Sequence, residues 1–161
     1  MWQIIVVILG LIFGAFLNKR VREEIKQGKK YFIFFERLIL VLFVFILILI
    51  YRINILILIG VIVGLLIGKY FKKIYFYFGI VISIISKIEE LFLIFISLVF
   101  LFGLIYQSLV KFKLKNLGLD IIVFLLPFSL LFMETFINTK IGFLIGFAIG
   151  GIISWARGSA W

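Results

Sequence analysis

The stretch LIGVIVGLLIGKYFKK, Leu58 to Lys73, decides the fold. Gly60, Gly64 and Gly68 stand four apart among Ile, Val and Leu, and lysines close the run. That period keeps the three glycines on one face of a helix. In lipid no hydrophobic effect draws helices together, so they associate by close packing, and small residues four apart let two backbones approach. Gly disfavours a helix by about 1 kcal/mol relative to Ala. Its repetition along one face predicts a packing seam. The competing reading is a pore lined by glycine carbonyls. It is weaker, because helical carbonyls are already bonded and no filter-like loop accompanies the stripe.

The pattern recurs twice. VILGLIFGAFLNKR carries Gly10 and Gly14, followed by Asn18, and IGFLIGFAIGGIISWAR carries Gly142, Gly146 and Gly150, followed by Ser154. All three stretches end on basic residues. This hints at an internal repeat in which the first and third helices each open a two-helix unit.

The rest of the chain agrees with lipid as the solvent. Of its 161 residues, 66% are hydrophobic, whereas a soluble domain is nearer half. The expected organisation is one integral membrane domain over residues 1–161. The formal charge of +10 would suggest nucleic acid in a soluble protein. Here the basic residues lie between apolar runs, so the expected partner is an anionic leaflet of the bilayer and not nucleic acid.

The spacing predicts an all-α polytopic bundle of about seven helices. The apolar runs are Trp2–Leu17, a second beginning at Tyr31 or Leu38 and ending at Ile50, Asn54–Phe71, Ile74–Ile85, Lys87–Val110, Leu119–Ile137 and Ile141–Trp155. The first run has basic residues after it and none before. That is opposite to a cleaved leader, and it reads as a retained helix. The turns YRIN, SKIEE and NTK separate later runs. Ser86 and Glu89 have the spacing of a capping box opening the fifth helix.

The second and fourth runs hold only about a dozen unbroken apolar residues, against about 20 needed to cross. Six spans is therefore the fallback. Seven spans place 14 of the 17 Lys and Arg residues on one side, as the positive-inside rule requires. The N-terminus is then outside and the C-terminus cytoplasmic, in a multi-pass protein of the cell membrane. Residues 18–37 form a basic cytoplasmic amphipathic loop, with a short helix expected to stop near Gly28. Lys19, Arg20, Arg22, Lys26, Lys29 and Lys30 would contact inner-leaflet lipid.

Chemistry is narrowed by elimination. The chain has no Cys and no His. A disulfide framework, an H-E-x-x-H zinc site and a Ser-His pair are all excluded, and no metal site or cofactor is expected. Asp120 is the single Asp, which excludes a two-aspartate protease. No phosphate-cradling G-x-x-x-x-G-K-[ST] loop occurs. The expectation is a non-enzymatic protein.

The most informative constellation is LDIIVFLLPFSLLFMETF, in which Asp120, Pro127 and Glu134 are seven apart and share a helical face. Pro127 frees a carbonyl and predicts a kink. A membrane Glu is a functional hypothesis by default, so these three are the transport candidates. The plainer reading has Asp120 capping a helix start and Glu134 near the outer end, touching water.

Three function classes follow. The first is a homo-oligomeric transporter or channel-like protein. The second is a membrane subunit or assembly factor held to membrane-protein partners by its glycine faces. The third is a lipid-interacting protein.

Overall fold

The structure, a computed structural model, describes residues 2–86, 88–110, 114–132 and 134–158. These residues are helical throughout apart from short connections, with no strand among them. The helices are α1 (Trp2–Arg20), α2 (Arg22–Tyr51), α3 (Ile55–Tyr70), α4 (Ile74–Ile85), α5 (Glu89–Leu109), α6 (Leu114–Leu125) and α7 (Glu134–Gly158), with a 3-10 segment at Leu126–Phe132. Three stretches are long and apolar enough to cross a membrane: Gln27–Tyr51, Glu89–Leu109 and Lys140–Gly158. α3 and α4 are apolar but shorter.

The boundaries have local causes. α2 ends where Arg52 takes a positive φ of 42°. Asn54 then caps α3 by accepting the Ile57 N–H at 2.8 Å. Pro127 has no N–H to donate, and regular helix stops at Leu125, giving way to the 3-10 segment.

Several boundaries differ from those read in the sequence. The helix begun at Arg22 does not stop at Gly28. No glycine takes a positive φ among the described residues, so the left-handed cap that would end it there is absent. Only Val21 separates α1 from α2, and the basic stretch is helical on both sides of it. Ser86 does not open α5. It closes α4, with its N–H on Ile82 O at 2.9 Å and its Oγ donating to Ser83 O at 2.8 Å. The NTK residues Asn138–Lys140 lie inside α7.

The chain divides into two compact units, each assembled from two separate stretches. Unit 1 comprises Met1–Phe43 with Glu89–Leu119. In it Gly10 faces the Phe100 backbone, Gly14 faces Gly103 and Leu104, and Asn18 reaches Ser108. The contacts advance together, so α1 and α5 run parallel. Phe43 lies about 33 Å of helix beyond Val21, and its ring meets Phe95 edge-on at 4.8 Å. α2 therefore runs back, antiparallel to both.

Unit 2 comprises Val44–Ile88 with Asp120–Trp161. Gly60 faces Phe143 and Phe147, Gly64 faces Phe147 and Gly151, and Gly68 faces Ser154. These contacts also advance together, and α3 and α7 are parallel. α4 packs against α7 and the 3-10 segment. Eleven of its 12 residues are buried. At about 18 Å long it falls short of a ~30 Å hydrocarbon core, and its burial shows that protein surrounds it.

Candidate functional site

The glycine faces come first because they set how near the backbones lie. A Cβ on Gly10 would come 2.6 Å from Phe100 O, and one on Gly14 would come 2.9 Å from Gly103 O. In unit 2 a Cβ on Gly60 would collide with the Phe143 carbonyl and one on Gly64 with that of Phe147. From the other side, Gly146 meets Ile57 O and Gly150 meets Val61 O. A Cβ on Gly68 would lie 2.8 Å from Ser154 Cβ. Gly142 is looser, with Asn54 Oδ1 3.3 Å away. At Gly60, Gly64, Gly146 and Gly150 both sides of the α3–α7 contact are backbone, too close for anything to pass between. Gly103, unmarked by the four-residue spacing, also faces α1, but a Cβ there would sit 3.5 Å from Leu11, at ordinary contact distance.

Each unit holds its own buried polar groups. In unit 1 these are Asn18, Glu36, Gln107 and Ser108. The Asn18 amide donates to Ser108 O and, at 2.9 Å, to Val110 O. The Ser108 hydroxyl donates to Ile105 O at 2.7 Å. Glu36 is 1% exposed. It lies seven residues before Phe43 on antiparallel α2, about 10 Å along the helix. That sets it level with Phe102 and Gly103, one to two turns from Ser108. Phe43 and Phe95 form an apolar layer beyond it, both fully buried. Burying a carboxylate in its charged form costs several kcal/mol even after relaxation, which sets Glu36 apart from the neutral Asn18, Gln107 and Ser108.

Glu36 escaped the sequence reading because it stands beside Arg37 at the head of an apolar run and resembles an interfacial charge. The signal was its spacing. Glu36, Ile39, Leu40, Phe43 and Leu47 follow a helical period, and all five are buried. Arg37, the next residue, is exposed.

In unit 2 the buried polar groups are Ser83 and Asp120. Asp120 is the seventh residue of α6 and not its cap. Its carboxylate pairs with Lys73 Nζ at 3.6 Å. Pro127 is buried in the 3-10 segment, with its ring against Gly79, whose Cβ would lie 3.0 Å from Pro127 Cγ. Asp120 thus ties α6 to the start of α4, and Pro127 packs the 3-10 segment on α4. Glu134 opens α7 and does not continue the helix of Asp120, so the two acids and the proline do not share one helical face. The side chain of Glu134 lies outside the described residues, as do those of Arg22 and Lys26. Lys19, Arg20, Lys29 and Lys30 are exposed, with Arg20 over the Phe16 ring at 6.0 Å.

Among the described residues, no three acids gather into a group able to hold a metal ion. No known protein family matches the sequence, and no curated protein or solved structure matches it either.

Proposed function

We propose that the chain is a non-enzymatic, multi-pass protein of the cell membrane that carries a proton or small cation, with Glu36 as the titrating group. In this reading seven helices cross, with the N-terminus outside and the C-terminus cytoplasmic. The parallel pairs α1/α5 and α3/α7 agree with strict alternation along the chain.

The observation that carries the proposal is the fully buried Glu36 carboxylate inside the apolar stretch Gln27–Tyr51. Ionisable groups at such positions mark ion and proton pathways. Glu36 would exchange its ion on the side of Asn18 and Ser108. The layer of Phe43 and Phe95 would be the barrier that opens during turnover. Asp120 and Pro127 act here as packing groups. The glycine faces are taken up within the chain, so a homo-oligomer would join through exposed Ile and Leu instead.

The test is proton uptake into proteoliposomes driven by a potassium diffusion potential and read with an entrapped pH dye. Wild type is expected to take up protons, and Glu36→Gln to abolish uptake while eluting normally on size exclusion. If Glu134→Gln abolishes uptake and Glu36→Gln does not, the path runs past the start of α7 and the assignment to Glu36 fails. If the wild type moves neither protons nor monovalent cations, the subunit or assembly-factor reading replaces it. Chains that co-purify in mild detergent would then identify the partners.

A further inference from the structure

We propose that the end of unit 2 where α3 and α7 finish together is a binding site for the head group of an anionic phospholipid. The inference needs the chain to lie in a bilayer but does not depend on Glu36 or on transport.

α3 and α7 are parallel, so their C-terminal ends coincide. Gly68 packs on Ser154, and Lys72 Nζ lies 3.8 Å from where a Gly158 Cβ would be. Four cations from three parts of the fold therefore meet at one end: Lys69 on α3, Lys72 and Lys73 on the α3–α4 connection, and Arg157 on α7. Lys69, Lys72 and Arg157 are exposed.

Negative charge to balance them is scarce. The sequence of unit 2 contains only two acids, Asp120 and Glu134. Glu134 opens α7, at its opposite end. Asp120 is engaged by Lys73. The two helix C-termini contribute roughly half a negative charge each. About two positive charges remain uncompensated within a small area. Each such cation adds to the attraction for an anionic surface.

The adjoining surface fits a lipid better than a soluble anion. Tyr70 is 86% exposed beside the lysines. Leu66 and Ile62 continue the exposed face of α3 away from them. An acyl chain would lie along that face with its phosphate among Lys69, Lys72 and Arg157. Tyr70 would stand at the head-group level, where such amphipathic rings gather.

The full chain is reconstituted into nanodiscs of phosphatidylcholine containing a minority of phosphatidylglycerol. Native mass spectrometry then counts the lipids that stay with the protein. Wild type is expected to retain phosphatidylglycerol in preference to phosphatidylcholine. The triple variant Lys69→Gln, Lys72→Gln, Arg157→Gln should reduce that preference at least about tenfold. Lys73 is left in place to preserve its pair with Asp120. A control triple, Lys19→Gln, Arg20→Gln, Lys29→Gln, removes the same charge from unit 1 and should retain the lipid. The double variant Lys69→Arg, Lys72→Arg keeps the charge and should also retain it, which separates lost binding from lost folding. Equal losses in both Gln triples would show diffuse attraction to the leaflet and overturn the site. Unchanged preference in the unit 2 triple, or its loss in the Arg variant, would overturn it too.

Discussion

Asn18 and Val110 are joined across 92 residues of sequence by a hydrogen bond of 2.9 Å, from the side-chain amide of one to the backbone carbonyl of the other. The same amide serves Ser108 O. Carbonyls at the end of a helix have no partner within it. One amide from α1 thus closes the end of α5 and fixes the register of the parallel pair. Replacing Asn18 by Ala should lower stability by about 1 kcal/mol, the usual net worth of such bonds, including those in membranes. Asn18→Asp should be worse, because it sets a carboxylate against two carbonyl oxygens. Unfolding in a graded denaturing-detergent series would measure both, and indistinguishable midpoints for the three proteins would refute the contact.

The glycines should separate into two classes. Gly14→Ala, Gly64→Ala and Gly146→Ala each drive a methyl into an opposing backbone and should destabilise clearly or disrupt folding. Gly118 has nothing within 4 Å of a Cβ. Gly118→Ala should therefore stabilise by up to about 1 kcal/mol through helix propensity alone. Gly103→Ala should be nearly neutral. Thermal aggregation midpoints in one detergent would rank all five, and a flat ranking would contradict the close approach of the backbones.

The Lys73–Asp120 pair is uneven, with side chains 40% and 12% exposed. Lys73→Gln should cost more than Asp120→Asn, because it removes the cation opposite a nearly buried carboxylate. The double variant should lose less than the sum, with a coupling of about 1 kcal/mol. A coupling near zero would mean that the two charges merely lie close.

Orientation is open to direct chemistry. Single cysteines placed at Lys26 and Lys113 should react with an impermeant maleimide only from the cytoplasmic side. Labelling at Lys113 from outside would reverse the second half of the chain and favour six spans.

The helical class and the placing of several helices were legible in composition and apolar runs. The spacing of Gly60, Gly64 and Gly68 told which face of α3 was small, but not that α7 would meet it, since pairing depends on which small faces become neighbours in three dimensions. The break after α6 was harder to read. Asn138, Thr139 and Lys140 have turn composition, yet α7 runs through them, while the regular helix ends at Leu125 beside Pro127. Helix propensity is weak against one missing N–H and a packed neighbour. Asp120 looked like a cap because its partner, Lys73, is 47 residues away. Glu36 was hidden by its neighbours, although its spacing with Phe43 already placed it on the buried face.

The enclosed position of α4 bears on how the chain is made. Its protein partners within unit 2, the 3-10 segment and α7, are synthesised well after it. In the proposed seven-span topology, until they emerge, a helix shorter than the hydrocarbon core and too apolar for water has no settled place, and it waits at the insertion machinery or in a provisional arrangement. Unit 1 has the same dependence, since α1 waits for α5. A ribosome stalled after Ile88 would thus hold two unfinished halves, and quality-control proteases should remove a chain ending there faster than one ending at Gly158.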